Sequence, residues 1–457
     1  MSRHSRPKQF LALKGDESLL LQTLKRVQDA TGYAAPLLIC NNDHRFLVAE
    51  EIRTAGIVDA NILLEPCPRN TAPAVVASAL IALQKTPDPL LLFMPSDHLI
   101  SPRKAFLATV GEAEAAARAG YFVCFGIEPS RPETGFGYIA EGNVLDEAPS
   151  CRKVERFIEK PDAETATRFV AEGSYLWNAG IFLFSGTALI EEMERLEPEL
   201  VETCRKAVSA AHTDLDFLRL DEEAFSTAKE ISIDHALMER TGKAAVARAT
   251  FAWSDLGAYP AIWEESARDE AGNAVTGDVL ARGSRDNLLY SENQLLAALD
   301  VENLSVVATQ DVVLVAPRRN DVDLKALVAE LRQAKRDEAD THATVYRPWG
   351  NYRTTMKGPN YLVKEIVVSP GKRLSSQYHN HRAEHWVVVE GTAQIERDGE
   401  KLTLEKDQSL YIPLKAVHRL ENTKDTPLHL IEVQTGDYLA EDDIVRLEDD
   451  FKRSSDD

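Results

Sequence analysis

Four of the 11 histidines, His379, His381, His385 and His418, fall within one short stretch of the chain. Its densest part reads Gln377-Tyr-His379-Asn-His381-Arg-Ala-Glu384-His385-Trp386. Side chains two apart on a strand share a face, so His379 and His381 are expected to face one interior, with Gln377 beside them. Imidazole and carboxylate together suit Zn, Mn, Fe or Co. A lone histidine is most often a satisfied structural residue, whereas four with an acid and an amide point to a metal. His385 points opposite to an inward Glu384 and is read as supporting or structural.

A second segment runs from Asp407 through Pro413, Lys415 and His418 to Asn422. Together the two segments resemble the paired motifs of the cupin superfamily. That resemblance implies His379, His381 and Glu384 from the first motif and His418 from the second as metal ligands, with Gln377 able to join them. Two departures leave the carboxylate ligand open. Only two residues separate His381 from Glu384, where cupins have three or four, and Asp407 and Lys415 stand where cupins show glycine.

The wider string is more specific: Arg347-Pro-Trp-Gly350, Pro370-Gly-Lys-Arg373, Gln377 to Trp386, Glu390-Gly-Thr-Ala393, Tyr411-Ile-Pro413 and His418-Arg-Leu-Glu-Asn422. It resembles the isomerase domain of type II phosphomannose isomerases over almost all of residues 345 to 453. The resemblance implies interconversion of fructose 6-phosphate and mannose 6-phosphate. Such a reaction removes a proton beside a carbonyl and passes through an enediolate, whose oxygens a divalent ion can polarise. A base moves the proton between C1 and C2, and Glu384, Lys364 and His385 all qualify. Arginines clamp the phosphate, with Arg373, Arg382 and Arg419 as candidates.

The first half carries a series of short polar motifs expected at strand ends, where open α/β sheets bind ligands. In order they are Pro7-Lys8-Gln9-Phe10, Glu65-Pro-Cys-Pro-Arg69-Asn70-Thr71-Ala-Pro73, Pro95-Ser-Asp97-His98 and Pro132-Glu-Thr-Gly135-Phe-Gly137-Tyr138. Phe157-Ile-Glu159-Lys160-Pro161, Trp177-Asn178-Ala-Gly180 and Trp253-Ser-Asp255-Leu-Gly257 follow. Singly each has a plain reading: Asp97 as a helix cap, the glycines as turns, Lys160 as a solvated loop. As an ordered series they resemble the sugar-nucleotide pyrophosphorylases, and most closely mannose-1-phosphate guanylyltransferases, over residues 2 to about 265 and the β-rich segment beyond. In that family a sugar 1-phosphate attacks the α-phosphate of GTP and expels pyrophosphate, which calls for Mg²⁺. By resemblance Asp97 and Asp255 hold the metal, and Lys160 contacts the sugar phosphate. Glu159, Asn178 and Gly137 line the mannose site. Arg69, Asn70 and Thr71 sit near the base or ribose, and Lys8 reaches the phosphates.

One departure stands out. The family opens with a buried strand and a glycine-rich loop just before Ser-Arg-x-x-x-Pro-Lys-Gln-Phe, whereas here Met1 leads directly into Ser2-Arg3. Roughly twenty residues of the family's start are missing, including amides that cradle a triphosphate. Residues 1 to 457 are therefore expected to transfer guanylyl groups poorly or not at all. Either the start codon lies upstream, which the intact remaining motifs favour, or only the isomerase half works.

These residues require two kinds of scaffold. Up to about Trp263 short apolar runs alternate with helical stretches: Ala35 to Cys40, Leu90 to Met94 and Tyr121 to Gly126 as strands, Ala72 to Gln84 and Arg103 to Ala119 as helices. That pattern predicts a mainly parallel sheet with Rossmann-like α/β character. From Ala274 to Pro317, β-rich runs broken by Gly, Asn and Asp predict a small β-helix, followed by an amphipathic helix from Asp321 to Lys335 and a charged linker. From Tyr346 dense short strands predict a barrel or jelly roll. The expected domains are 1–265, transferase-like; 266–340, β-rich with a helix and linker; and 341–457, a cupin barrel.

With 457 residues, 44% hydrophobic and 27% charged, the chain reads as globular. A net charge of -21 argues against nucleic acid as a partner. No apolar run nears the ~20 residues of a membrane span and no signal peptide is evident, so a cytoplasmic location is expected. The five cysteines, widely spaced and without a CxxC pair, predict free thiols. The acidic stretch Glu441 to Asp457 is expected to be a solvated tail or last helix. A homo-oligomer is compatible with all of this. Two other functions are weighed: an isomerase with the first half as scaffold, and a sugar-phosphate-sensing cupin module, against which the lack of a DNA-binding helix pair counts.

Overall fold

The structure, a computed structural model, describes residues 1–214, 216–319 and 323–449. The first part is an α/β nucleotidyltransferase-like fold. Its main sheet has six strands in the order Leu90–Phe93, Tyr175–Ser185, Phe122–Ile127, Ala244–Arg248, Cys151–Ile158 and Tyr138–Val144. Alternate residues of Phe122–Ile127 serve opposite faces, as a pleated strand dictates. Phe122 and Cys124 pack with Val75, Val76 and Leu189 from helices Thr71–Lys85 and Gly186–Leu196. Val123 and Phe125 pack with Phe106, Val110 and Ala113 of helix Arg103–Arg118. A smaller sheet sets Leu37–Asn41, Asn61–Glu65 and Phe217–Arg219 in parallel.

The expectation of a mainly parallel sheet is corrected here. Within the six-stranded sheet only Phe122–Ile127 and Ala244–Arg248 pair in parallel. Tyr175–Ser185 runs antiparallel to Leu90–Phe93, Phe122–Ile127 and Tyr138–Val144, and Tyr138–Val144 forms an antiparallel pair with Cys151–Ile158. Strand–helix alternation reports which segments are strands, but not which strands become neighbours.

The segment after Ala274 coils as a short β-helix. Ala274–Thr276, Leu288–Ser291 and Leu304–Ala308 stack in parallel on one face, Val279–Arg282 and Leu296–Leu299 on another. Buried Asn273 and Asn287 staple successive turns, since Asn287 Nδ2 donates to Asn273 Oδ1 at 2.9 Å and Asn287 Oδ1 accepts the Leu304 amide at 2.8 Å. The following helix spans Leu324–Gln333; the first two residues of the predicted helix lie outside the described residues. Among the described residues no helix is long and apolar enough to cross a membrane.

The last part is all β, with cupin character. A six-stranded sheet orders Thr344–Arg347, Gly350–Gly358, Tyr361–Val368, Leu428–Gly436, Arg382–Glu390 and Ser409–Ile412. A five-stranded sheet orders Glu400–Leu404, Ala393–Arg397, His418–Glu421, Ser376–His379 and Ile444–Glu448. Their inner faces enclose Trp349, Ile366, Trp386, Val388, Ile395 and Leu430. Asp407 and Lys415 hold φ of 67° and 64°, the left-handed conformation that glycine adopts most readily. The two non-glycines at the cupin glycine positions thus keep a glycine-like backbone. Glu441–Asp443 is a short turn rather than a tail, Ile444–Glu448 is a strand, and residues 450–457 lie outside the described residues.

Two candidate active sites

In the C-terminal barrel His379 ends one strand, Glu384 sits near the start of another, and His418 begins a third. Their donor atoms all lie within 4.8 Å of one another, and all three residues are buried. His379 Nε2 stands 3.0 Å from Glu384 Oε1, and His418 Nε2 stands 3.6 Å from Glu384 Oε2. Neither imidazole nitrogen of His379, nor Nε2 of His418, has an aligned hydrogen-bond partner despite burial. The Nδ1 of His418 lies 2.9 Å from the Ala416 carbonyl, which can only accept, so the proton belongs on Nδ1 and Nε2 keeps its lone pair. Burial pushes the Glu384 carboxyl up, but His379, His418 and Arg382 outweigh it and hold the group well below the usual carboxylate range. One carboxylate and two imidazoles with open lone pairs fit a divalent ion.

Gln377 stands directly opposite His418 in the sheet, on the same face. Its Oε1 accepts from the Ser375 hydroxyl at 2.8 Å. His381 is a correction. It is exposed, packs its ring against Tyr438 at 6.0 Å, and is not part of the cluster. The strand carrying His379 ends there and the next begins at Arg382, so Asn380 and His381 form a corner. The alternation that would pair His379 with His381 holds only along one continuous strand. His385 faces out and lies on Tyr411 at 4.6 Å.

Sequence reasoning missed the inward row of strand Leu428–Gly436, namely Leu428, Leu430, Glu432 and Gln434. Trp386 Nε1 donates to Glu384 Oε2 at 3.1 Å and to Glu432 Oε2 at 3.0 Å. Gln434 Nε2 donates to Glu432 Oε1 at 2.7 Å and to Glu384 Oε1 at 3.3 Å. Burial first, then the Glu384 charge, pushes Glu432 up to about 8. The signal was legible as a period-two run that switches from apolar to polar while staying on the inner face.

Two of the expected phosphate arginines, Arg382 and Arg419, separate. Arg382 is buried, with Nη1 donating to the Ala440 carbonyl at 2.9 Å and Nε 3.4 Å from Glu384 Oε1. Arg419, on the opposite face from His418, ion-pairs with Glu448 at 2.8 Å. Arg373 bridges Glu421 through its backbone.

In the first half, Lys8 joins the two residues expected to hold the metal, through the Asp97 carboxylate and the Asp255 backbone. Its ammonium lies 2.8 Å from Asp97 Oδ2 and also donates to the Asp255 backbone carbonyl. His98 supports Asp97 from 3.8 Å and accepts from Trp253 Nε1 at 3.1 Å. Strand Ala252–Ser254 pairs with Leu99–Ser101, which sets Asp255 beside the Asp97–His98 loop. Gly180, with φ of 68°, lies against Pro95 and His98, so a β-carbon there would stand 3.5 Å from the Pro95 ring.

That contact brings in the second group. Asn178 donates its amide to the Gly137 carbonyl at 2.8 Å and its Nδ2 to Asp234 Oδ1 at 2.9 Å. Gly137 leaves room for Glu159, since an added β-carbon would sit 2.5 Å from Glu159 Oε2. Lys160, exposed and with φ of 47°, ion-pairs with Glu159 at 3.3 Å. Asp234 was not anticipated. Burial first, then the Glu159 charge, pushes it up to about 6. Its segment also carries the third group: Thr71 Oγ1 accepts the Ile233 amide at 2.8 Å, and the Ile231 carbonyl accepts the Ala72 amide at 3.1 Å. Asn70 caps helix Thr71–Lys85 and Arg69 donates to the Ser226 carbonyl. Arg69 to Thr71 thus connects through residues 231–234 to Asn178, Gly137 and Glu159.

Residues 1–272 match the family described as nucleotidyl transferase, and residues 334–449 the one described as mannose-6-phosphate isomerase C-terminal. The chain is 45% identical over 457 residues to the mannose-1-phosphate guanylyltransferase of Escherichia coli (strain K12), covering 99% of this chain and 95% of that protein. It is 43% identical to the alginate biosynthesis protein AlgA of Pseudomonas aeruginosa, covering 100% of this chain and 94% of that one. The crystal structure of mannose-1-phosphate geranyltransferase from Thermus thermophilus matches with a TM-score of 0.63 and 30% identity, over 72% of this chain and 94% of that one. The chain belongs to the mannose-1-phosphate guanylyltransferase family, in its bifunctional form that joins a nucleotidyl transferase module to a mannose-6-phosphate isomerase C-terminal module.

Proposed function

We propose that this chain serves GDP-mannose biosynthesis through two activities: guanylyl transfer from GTP to mannose 1-phosphate, releasing pyrophosphate, and interconversion of fructose 6-phosphate and mannose 6-phosphate. A separate mutase must link the two by converting mannose 6-phosphate to mannose 1-phosphate. The division of labour follows residues 1–265 and 341–457, with 266–340 between them.

At the transferase site Asp97 and Asp255 are the carboxylates for Mg²⁺, which would neutralise charge on the crowded phosphates. Lys8 ties the Asp97 carboxylate to the Asp255 backbone and would reach the phosphates. Glu159, Asn178 and Gly137 shape the mannose pocket, Lys160 reaches the sugar phosphate from its rim, and Arg69, Asn70 and Thr71 serve the nucleotide at a helix N-terminus.

At the isomerase site the observation that carries the reading is the buried convergence of His379, Glu384 and His418 with unpartnered imidazole nitrogens. A divalent transition metal such as Zn, Co or Mn would polarise the substrate oxygens there. Arg382 holds the Glu384 carboxylate in place, and Trp386 and Gln434 fix its orientation. The test is to strip the full chain of metal and follow fructose 6-phosphate conversion and GDP-mannose formation separately. Isomerase turnover should vanish and return when Zn, Co or Mn is restored. Full isomerase turnover in a rigorously metal-free preparation would overturn the mechanism. Binding of mannose 6-phosphate without turnover would point to a sensor instead.

A further inference from the structure

The turn Glu441–Asp443, with Ala440 before it, is tied to the site at three points. The Asp443 carboxylate, buried, accepts the amides of Asn380 and His381 at 3.1 Å each, in the corner just after His379. Arg382 Nη1 donates to the Ala440 carbonyl at 2.9 Å. The Lys364 ammonium donates to Glu441 Oε1. Lys364 is buried, with its ammonium 4.4 Å from the centre of the Tyr352 ring, and Arg347 hydrogen-bonds the same tyrosine.

The Glu441 carboxylate thus meets the Lys364 ammonium directly, and the charges of Arg382 and Arg347 also act on it. Protein crowds the carboxyl and costs it solvation even though 44% of the side chain is exposed. That cost is outweighed first by Lys364, then by Arg382 and Arg347, so the group stays below the usual carboxylate range. Arg382 touches Glu384 of the triad directly. Lys364 lies directly opposite Glu432, and Glu432 directly opposite Trp386, whose N–H is shared with Glu384. Two strand spacings, about 10 Å, separate the Lys364 and Glu384 strands. A six-carbon sugar phosphate can bridge that separation, with its carbonyl end at the triad and its phosphate at the cations.

We infer that Arg347, Lys364 and Arg382 form the phosphate subsite of the isomerase, and that the Glu441 carboxylate occupies it as an internal stand-in which the substrate phosphate displaces. This rests on the isomerase reading. Three cations acting on one oxyanion suit a phosphate better than a carboxylate, because a phosphate brings more charge and a third terminal oxygen. A competing internal anion lowers apparent affinity and keeps the buried ammonium paired when no ligand is bound.

The test uses the full, metal-loaded chain and calorimetric binding of fructose 6-phosphate, with fructose as the unphosphorylated control. Glu441→Gln should tighten fructose 6-phosphate binding several-fold. Lys364→Met should weaken it at least tenfold with metal content unchanged, and Arg347→Met, at the half-exposed rim, should weaken it in the same sense if Lys364→Met does not fold. Fructose binding should respond to none of them. Unchanged or weaker binding by Glu441→Gln, or wild-type binding by a folded Lys364→Met or Arg347→Met, would overturn the inference. Wild-type binding without any isomerisation would instead sink the isomerase reading and leave the subsite standing.

Discussion

The two sites hold their charges in opposite ways. In the barrel His379, Glu384 and His418 keep only 1–2% of their side-chain surface exposed. In the first half Lys8 and Asp97 keep 21% and 33%, and Lys160 keeps 63%. A buried charge has to be matched by protein groups, so the barrel surrounds one carboxylate with two imidazoles, a guanidinium, an indole N–H and an amide. A site for a nucleoside triphosphate receives much of its charge with the ligand and stays open to admit it. The barrel is pre-organised around a small reacting centre, whereas the open site joins three groups of residues through loops and helix ends.

Exchanging the defects between the sites breaks this comparison most severely. Glu384→Gln keeps the shape and removes the charge; isomerase turnover should fall by about 10³-fold with loss of bound metal, while guanylyl transfer stays within about twofold. Asp97→Asn should instead lower whatever guanylyl transfer the wild-type chain shows and leave isomerase turnover and bound metal within about twofold. His381→Ala, outside the triad and exposed, should stay within about threefold of wild type in both. Parallel assays on the three variants, with metal analysis, decide it. A His381→Ala chain stripped of metal would show that the corner closes onto the ion after all.

A smaller effect sharpens the picture of the open site. Gly137→Ala would place a methyl 2.5 Å from Glu159 Oε2. Because Glu159 is a side-chain end, it moves aside rather than breaking the fold. We expect KM for mannose 1-phosphate to rise about tenfold with a smaller change in kcat, measured by initial-rate kinetics. An unchanged KM would remove Glu159 from the sugar pocket.

The residue types made the sites partly legible in the sequence. His379, Glu384 and His418 stand out because few other duties cluster such side chains, and the strands that carry them alternate cleanly. His381 misled because alternation was extended across a corner that no sequence signal marks. Lys364 and Glu441 are 77 positions apart, and only the barrel's closure brings them together. Asp234 sits in a five-residue π-helix, too short to show a period. Its partner Asn178 and the nearby Glu159 charge lie far from it in the chain, which neither sequence neighbourhood announces. Likewise, sheet direction depends on which strands become neighbours, a choice made by tertiary packing rather than by local propensity.

Asp234 gives the mildest and most diagnostic effect. Its carboxyl titrates at 3.8 when unfolded and is pushed up to about 6 in the fold, chiefly by burial. A raised folded-state value means that the native chain binds the proton more tightly than the unfolded chain. The stability it contributes is therefore fully present below pH 3.8 and lost as pH rises through about 6. The shift corresponds to at most about 3 kcal/mol. Asp234→Asn keeps an oxygen to accept from Asn178 Nδ2 and removes the titration. Wild type should lose roughly 2 to 6 °C in the first unfolding transition between pH 4 and 7 that the variant keeps. Denaturation at matched pH values reads this directly. Two parallel pH profiles would mean that water or a neighbouring cation solvates the carboxylate, and Asp234 would then belong with the open site's exposed charges rather than with the buried acids of the barrel.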